Sequence, residues 1–374
     1  MKTCDIFVFA GEASGDHLGS ELIRALLSKN KNLKISGVLG PLMREENASS
    51  LLEMEEFQVM GFIDVVKALP KLFKLFKKTR ELIINAQPKA LVLIDYPGFN
   101  LRMAKSLKKR GFKAPIIQYV CPSVWAWKSG RIKTMEKFLD HLICLFPFEP
   151  SCFAKTKLEA TFIGHPLAKK IKEYQYKENL FNFKKPVLSI FPGSRKNEIE
   201  RNLPLMFEMA KKHTKGMYDI AVSCASKNRI PLITSIIKND ATLISSCHNY
   251  ELMKASSFAF AVSGTITLEL ALHKLPSIVT YAIRPFDFFL ARKIFRIDLP
   301  HYCIANYTAS VRMFPEFYGP HFNKEMLNET LSFMLENEEE LSLCKRRCEN
   351  LQKIFEKKEP NQLSAKVILE KALQ

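Results

Sequence analysis

The chain has no run approaching 18 apolar residues, so none of it reads as a membrane-spanning helix. Its opening residues, MKTCDIFVFAGEASGD, hold an apolar stretch too short for a signal peptide, and no small-residue cleavage site follows. Cysteines stand at positions 4, 121, 144, 152, 224, 247, 303, 344 and 348, without a CxxC pair. Cys344 and Cys348 are four apart but find no second pair or His couple to complete a zinc pattern. Such scattered thiols read as reduced, mostly buried residues of a cytosolic protein. There is no GxGxxG loop, no fixed short repeat and no low-complexity tract, which argues against a nicotinamide dinucleotide site, a solenoid and a disordered chain.

What is present is an ordinary globular balance, 47% hydrophobic and 25% charged residues. The 374 residues suggest two domains at about 150 each. Net charge is +18, which favours an anionic partner: nucleic acid, anionic lipid or a phosphorylated substrate. Short apolar runs alternate with amphipathic helical stretches. The runs fall at 6–10, 35–39, 90–94, 116–120, 142–145 and 161–163, then, after the polar stretch 169–185, at 187–191, 219–223, 242–244, 258–262 and 277–282. Apolar runs that do not alternate belong to parallel strands covered on both faces. The expected architecture is α/β: two doubly wound Rossmann-like domains facing a cleft, with helices at the C-terminal end. Expected boundaries are 1–170 and 180–340, with helices over 341–374 packing back on the first domain or on a partner subunit.

Ligands of such sheets bind at the carboxyl ends of the strands. The first strand runs into Gly11-Glu12-Ala13-Ser14-Gly15-Asp16-His17, a strand-to-helix turn that suits sugar hydroxyls or an anion. Ser14 or Asp16 as a plain helix N-cap is the alternative. A later strand ends Ile94-Asp95-Tyr96-Pro97-Gly98-Phe99-Asn100, setting Asp95 at the ligand edge as a possible general base. Both tryptophans, Trp125 and Trp127, fall in one post-strand loop, suited to sugar stacking or to plugging a domain interface. In the second half, Gly193-Ser194-Arg195 offers backbone donors and a bidentate cation, a phosphate site. Ser263-Gly264-Thr265 opens another helix, and Glu269 one turn on can take ribose hydroxyls or form a capping box. His17 and His165 carry little weight, since a lone His is more often a packed residue.

Residues 67–80 carry six positive charges and no negative one. Lys67, Lys71, Lys74 and Lys78 share one face, while Leu69, Leu72, Phe73 and Phe76 follow helical spacing on the other. This is the pattern of a helix lying in a membrane interface, each Lys contributing on the order of 1 kcal/mol near anionic lipid. Residues 67–137 hold 17 basic and 3 acidic side chains, so the excess charge sits in the first domain. Nucleic acid is not expected as a partner, because no reader motif appears and the tryptophans do not interleave with the basic run.

Taken together, GEASGD at 11–16, VMGFIDV at 59–65, IDYPGFN at 94–100, PSVWAW at 122–127, LFPFE at 145–149, FIGHP at 162–166, PGSRKNEIE at 192–200 and SGTITLE at 263–269 resemble bacterial lipid-A-disaccharide synthase, in order along nearly the whole chain. The stretch 298–319 departs from the family pattern: Ile304-Ala305-Asn306 stands where the family usually has Leu-Pro-Asn, and Gly319 near its usual Gln. The resemblance implies a GT-B fold and an inverting transfer. UDP-2,3-diacylglucosamine is joined to 2,3-diacylglucosamine 1-phosphate, giving UDP and the β-1′,6-linked lipid A disaccharide 1-phosphate. It implies no cofactor and no metal, a homodimer, and a peripheral place on the cytoplasmic face of the inner membrane. On this reading Asp95 is the base. Glu12, Ser14, Asp16 and Trp125 hold acceptor or sugar. Gly193, Ser194, Arg195, Ser263, Gly264, Thr265, Glu269 and Asn306 bind UDP. Lys67, Lys71, Phe73, Lys74, Phe76 and Lys78 meet the membrane. Another UDP-sugar enzyme of the same fold, such as a lipid-linked peptidoglycan glucosaminyltransferase, is the alternative, since fold alone does not fix function.

Overall fold

The computed structural model describes residues 3–57, 62–214, 216–294, 297–319 and 324–373; the side chains of 62–69, 214 and 294 lie outside that description. The chain divides into two units, Met1–Pro166 with Lys358–Gln374, and Leu167–Lys357.

The first unit runs β1 (Ile6–Ala10), α1 (Ala13–Lys29), β2 (Ile35–Leu39), α2 (Pro41–Arg44), β3 (Ser49–Glu53), α3 (Phe62–Ala86), β4 (Ala90–Ile94), α4 (Pro97–Lys108), β5 (Ile116–Tyr119), α5 (Arg131–Phe138), β6 (His141–Cys144) and β7 (Ala160–Phe162). All neighbouring strands pair in parallel, in the order β3-β2-β1-β4-β5-β6-β7. Period-two geometry splits each strand between two helical layers. Phe7 and Phe9 join one core with Leu91, Leu93 and α3–α5 residues such as Ile83, Met103 and Met135. Ile6, Val8 and Ala10 join the other with Val92, Ile94 and the Leu22–Leu26 face of α1.

After α6 (Pro166–Lys172), the second unit runs β8 (Val187–Phe191), α7 (Lys196–Thr214), β9 (Asp219–Cys224), α8 (Ile230–Ile237), β10 (Thr242–Ser245), α9 (Asn249–Ala255), β11 (Ser256–Val262), α10 (Ile266–Leu272), β12 (Ser277–Ala282), α11 (Pro285–Phe289), α12 (Ile304–Ala309), β13 (Glu316–Gly319), α13 (Lys324–Glu336) and α14 (Glu338–Glu356). Its sheet is also parallel, ordered β10-β9-β8-β11-β12-β13. The last helix, α15 (Pro360–Ala372), returns to the first unit and packs on α1, burying Ala365 and Ile368. The stretch 341–374 is therefore divided: α14 belongs to the second unit and α15 to the first.

Both sheets are doubly wound, and each has a point where strand order reverses. In the first unit it lies between β1 and β4, in the second between β8 and β11. Register carries the loops after these strands to the same edge, with Ala10 opposite Ile94 and Ala261 opposite Phe191. Crevices at such reversals are where ligands of open α/β sheets bind.

Candidate functional site

In the first unit the crevice is built by the loop after β1 and the turn after β4. Asp95 and Tyr96 both have left-handed backbone, φ +49° and +39°. Two fully buried amides hold that turn. Asn100 Nδ2 donates to the Asp95 carbonyl (2.6 Å), and Gln118 Nε2 donates to the same oxygen (2.8 Å). Gln118 also reaches the Val120 carbonyl (3.2 Å), where the chain again turns left-handed at φ +77°. Strained backbone persists where surroundings over-determine it, and it clusters at working sites. Ser14 Oγ donates to Asp95 Oδ2 (3.1 Å), so the first turn of α1 meets the carboxylate. Burial, and then the Asp95 charge, raise the Glu12 carboxyl above its ordinary range. Gly11 is obligatory here: a Cβ would lie 2.6 Å from the Tyr96 ring. Tyr96 in turn stacks on Phe99, and Phe99 on Phe9 (5.8 and 4.7 Å), anchoring the turn in the core.

Asp16, expected at the sugar site, is buried, and its two oxygens accept the Leu42 and Met43 N–H groups (3.0 Å each). It caps α2 instead, and Gly40 leaves room for it, since a Cβ there would lie 2.3 Å from its carboxyl carbon. Trp125 stands in the loop after β5, edge-on to Phe148 (5.2 Å). Beneath that loop Cys121, Cys144 and Glu149 are buried with their ligand atoms within 4.8 Å of one another. Burial pushes the Glu149 carboxyl up to about 7. The cluster has no motif spacing, which is why sequence reading does not find it.

On α3 the expected apolar face divides. Phe73 is 60% exposed, with Lys77 Nζ over its ring (4.6 Å). Phe76, expected toward lipid, instead packs edge-on against Phe99 (5.3 Å) in the core, because Leu75, Thr79, Leu82 and Ile83 set the buried stripe. Lys71, Lys74 and Lys78 are exposed. The Lys67 side chain, motif residues 59–61 and the side chains of motif residues 62–65 lie outside the described residues. No described helix is long and apolar enough to cross a membrane.

In the second unit the crevice is a cavity of about 390 Å³ that gathers Gly193, Ser194, Arg195, Ser263, Gly264 and Thr265. This lies in the size range of small-ligand pockets. Gly193 has φ +91°, and a Cβ there would meet Glu198 Oε2 at 2.8 Å. Glu198 pins the turn, accepting from Arg195 N (3.3 Å) and from the Arg195 guanidinium (2.6 Å). That bond raises the Arg195 pKa. The 19-residue α7 begins at Lys196, so its N-terminal dipole opens at the pocket. Sequence reading missed three neighbours: Ser223 and Asn249, which bond each other in the lining (2.7 Å), and Arg229, whose Nε donates to the Ser194 carbonyl (3.3 Å).

Glu269, expected at this site, is not in the pocket lining and accepts from Tyr250 OH (3.3 Å). Burial raises its carboxyl above the usual range, and the Tyr250 bond and Lys170 charge oppose that. Asn306 is fully buried. Its Oδ1 accepts from Met313 and Phe314 N–H groups, and its Nδ2 donates to the Phe314 carbonyl. It holds the 313–314 loop and is not among the residues that line the pocket.

Comparison with known proteins decides the family. A family model described as lipid-A-disaccharide synthetase matches residues 6–372. The chain belongs to that family. Among curated relatives, lipid-A-disaccharide synthase of Chlamydia pneumoniae is 38% identical over 356 residues, 91% of this chain and 59% of the relative. That of Coxiella burnetii is 35% identical over 324 residues, 81% and 82% of the two chains. The chain spans little more than half the length of the chlamydial relatives it matches. Among solved structures, a putative UDP-N-acetylglucosamine 2-epimerase from Listeria monocytogenes aligns with TM-score 0.65 at 11% identity, over 98% of this chain and 95% of the other. A glycosyltransferase from Rickettsia africae aligns with TM-score 0.58 at 11% identity, over 99% and 98%. The family's fold in this chain is thus of the GT-B glycosyltransferase type.

Proposed function

We propose that the protein transfers the diacylglucosamine of UDP-2,3-diacylglucosamine to 2,3-diacylglucosamine 1-phosphate, releasing UDP and the β-1′,6-linked disaccharide 1-phosphate. Asp95 takes the proton of the acceptor 6-hydroxyl as that oxygen attacks the anomeric carbon from the face opposite UDP. The glycosidic C–O bond forms as the bond to the diphosphate breaks, so the configuration inverts. Positioned general-base catalysis of this kind contributes roughly 10²–10⁴-fold. Ser14 orients the carboxylate, and Glu12 shares the acceptor site. In the second unit Arg195 and the α7 N-terminus stabilise the departing diphosphate. Its guanidinium is 80% exposed and spends one nitrogen on Glu198, leaving the rest of the fork for phosphate oxygens. Gly193, Ser194 and Ser263–Thr265 line the same pocket, and Glu269 lies outside its lining.

The observation that carries the reading is the Asp95 turn: a carboxylate at the strand-order reversal, held on left-handed backbone by two buried amides. Acyl chains are costly to lift out of lipid, about 0.8 kcal/mol for each CH₂ exposed. Lys71, Lys74, Lys78 and Phe73 of α3 accordingly rest on an anionic inner-membrane surface, on its cytoplasmic side, and the working form is a homodimer.

The test mixes purified protein with both lipid substrates. UDP and disaccharide 1-phosphate should appear in equal amounts, and Asp95→Asn and Arg195→Ala should each lower turnover at least tenfold with the fold intact. Extension of a lipid-linked muropeptide in place of the monosaccharide 1-phosphate would move the assignment to a different UDP-sugar enzyme of this fold. Normal turnover in both variants would overturn the residue roles.

A further inference from the structure

We propose that Cys121, Cys144 and Glu149 form a structural site for a zinc-class divalent ion beneath the tryptophan loop of the first unit. Cys121 lies just past β5 and Cys144 ends β6; the two strands pair in parallel with Tyr119 opposite Ile143, so both thiols emerge at one edge of the sheet. Val120, between β5 and Cys121, has left-handed backbone (φ +77°). All three side chains are buried, Cys121 at 5%, Cys144 at 0% and Glu149 at 2% exposure.

Their ligand atoms lie within 4.8 Å of one another. Tetrahedral zinc with bonds of about 2.3 Å to sulfur and 2.0–2.2 Å to oxygen needs ligand separations of roughly 3.5–3.8 Å, a contraction of about 1 Å at most. Two thiolates and one carboxylate suit a borderline-soft d¹⁰ ion and are a poor set for magnesium or calcium. The carboxylate is already oriented: Glu149 Oε2 accepts from Leu145 N (2.9 Å) and Phe146 N (3.0 Å), the outer-shell support that metal ligands commonly have. A water completes four-coordination. The two thiols release their protons to solvent as the ion binds.

The site has a mechanical consequence. It ties the start of the loop bearing Trp125 and Trp127 to the β6 end, where Phe148 meets Trp125 (5.2 Å). An ion there would fix that loop, and both tryptophans of the chain report on it.

The experiment titrates the full-length, reduced protein with Co²⁺ and then displaces it with Zn²⁺. One Co²⁺ per chain should bind, with near-ultraviolet thiolate-to-cobalt charge-transfer absorbance and a change in tryptophan emission, and both should reverse when Zn²⁺ takes the site. Cys121→Ser and Cys144→Ser should each weaken binding at least tenfold, whereas Cys344→Ser/Cys348→Ser should leave it unchanged. No charge-transfer band in the wild-type protein at one equivalent of Co²⁺ overturns the site whether or not any variant folds. So does a band that persists in the Cys121→Ser/Cys144→Ser protein, or one that disappears with Cys344 and Cys348. None of these readouts depends on which sugar the protein transfers.

Discussion

Asp95 could be found from its place alone, a carboxylate ending a continuous apolar run at a Pro-Gly turn. Its supports could not. Asn100 is five residues away and Gln118 twenty-three, and only the pairing of β4 with β5 brings Gln118 beneath the turn. Asn100→Ala should therefore act in two ways. It leaves the Asp95 carbonyl with one donor fewer in a buried site, costing about 1–3 kcal/mol of stability. It also frees the turn, so turnover should fall with little change in KM for the acceptor. Thermal unfolding and steady-state kinetics read these separately, and an unchanged kcat would remove Asn100 from the machinery. Asp16 and Asn306 teach the converse: both sit in motifs, yet every described bond they make is structural. Glu269 yields a pH prediction. Its folded pKa is raised above the ordinary 4.5, so the native state holds its proton to higher pH than the unfolded chain. Stability from this group is present in acid and is lost as pH rises through the raised value. Glu269→Gln should consequently melt higher than wild type at pH 7.5, the gap closing toward roughly pH 4–5. Parallel melting curves at all pH values would contradict this.

At the scale of elements, the central strands were legible because both their faces are buried and their sequences are continuously apolar. Of the four edge strands, β7 and β10 were read at 161–163 and 242–244, and the other two escape that rule. β3 (SSLLE) and β13 (EFYG) end their sheets, carry polar residues and offer no apolar run, so the sequence gives no sign of them. The amphipathic pattern of α3 was legible as a helix, but the direction of its stripe was not. Periodicity alone cannot choose between an exposed face and a face toward the sheet, and of Phe73 and Phe76, three apart, the first is exposed and the second packs on Phe99. They make a paired test. Phe76→Ser should cost about 2–4 kcal/mol by chemical denaturation, since it empties a place against Phe99. Phe73→Ser, with Lys71, Lys74 and Lys78 reversed to Glu, should leave stability nearly unchanged and abolish sedimentation with anionic vesicles. Vesicle binding that survives those four changes would show that α3 is an ordinary solvated helix.

For the whole molecule, the same design appears twice: a parallel sheet whose strand order reverses, with glycine-bearing loops gathered at the reversal. The two halves of the chain specify these sheets independently, which is why a restart of the strand pattern after residue 185 marks the second. The return of α15 is different in kind. The expectation that helices over 341–374 pack back on the first domain or on a partner does not say which residues meet there: Ala365 and Ile368 complete a core begun by Ile6 and Val8, on a helix α1 some 340 residues away in sequence, as the Asn361–Glu21 hydrogen bond records (3.1 Å). The first unit is thereby closed by the end of the chain. Burying Ile368 alone contributes about 2 kcal/mol. Removing residues 358–374 should then speed hydrogen exchange in β1, α1 and β4, opening the segment that carries Ser14 and Asp95, while β8 and β11 keep their protection. Sugar transfer should fall with the first unit's protection, but UDP should still bind the second. If exchange rises equally in both units, the helix stabilises the molecule as a whole; if it rises in neither, the packing of α15 on α1 is energetically idle, and the Asp95 turn owes nothing to α15.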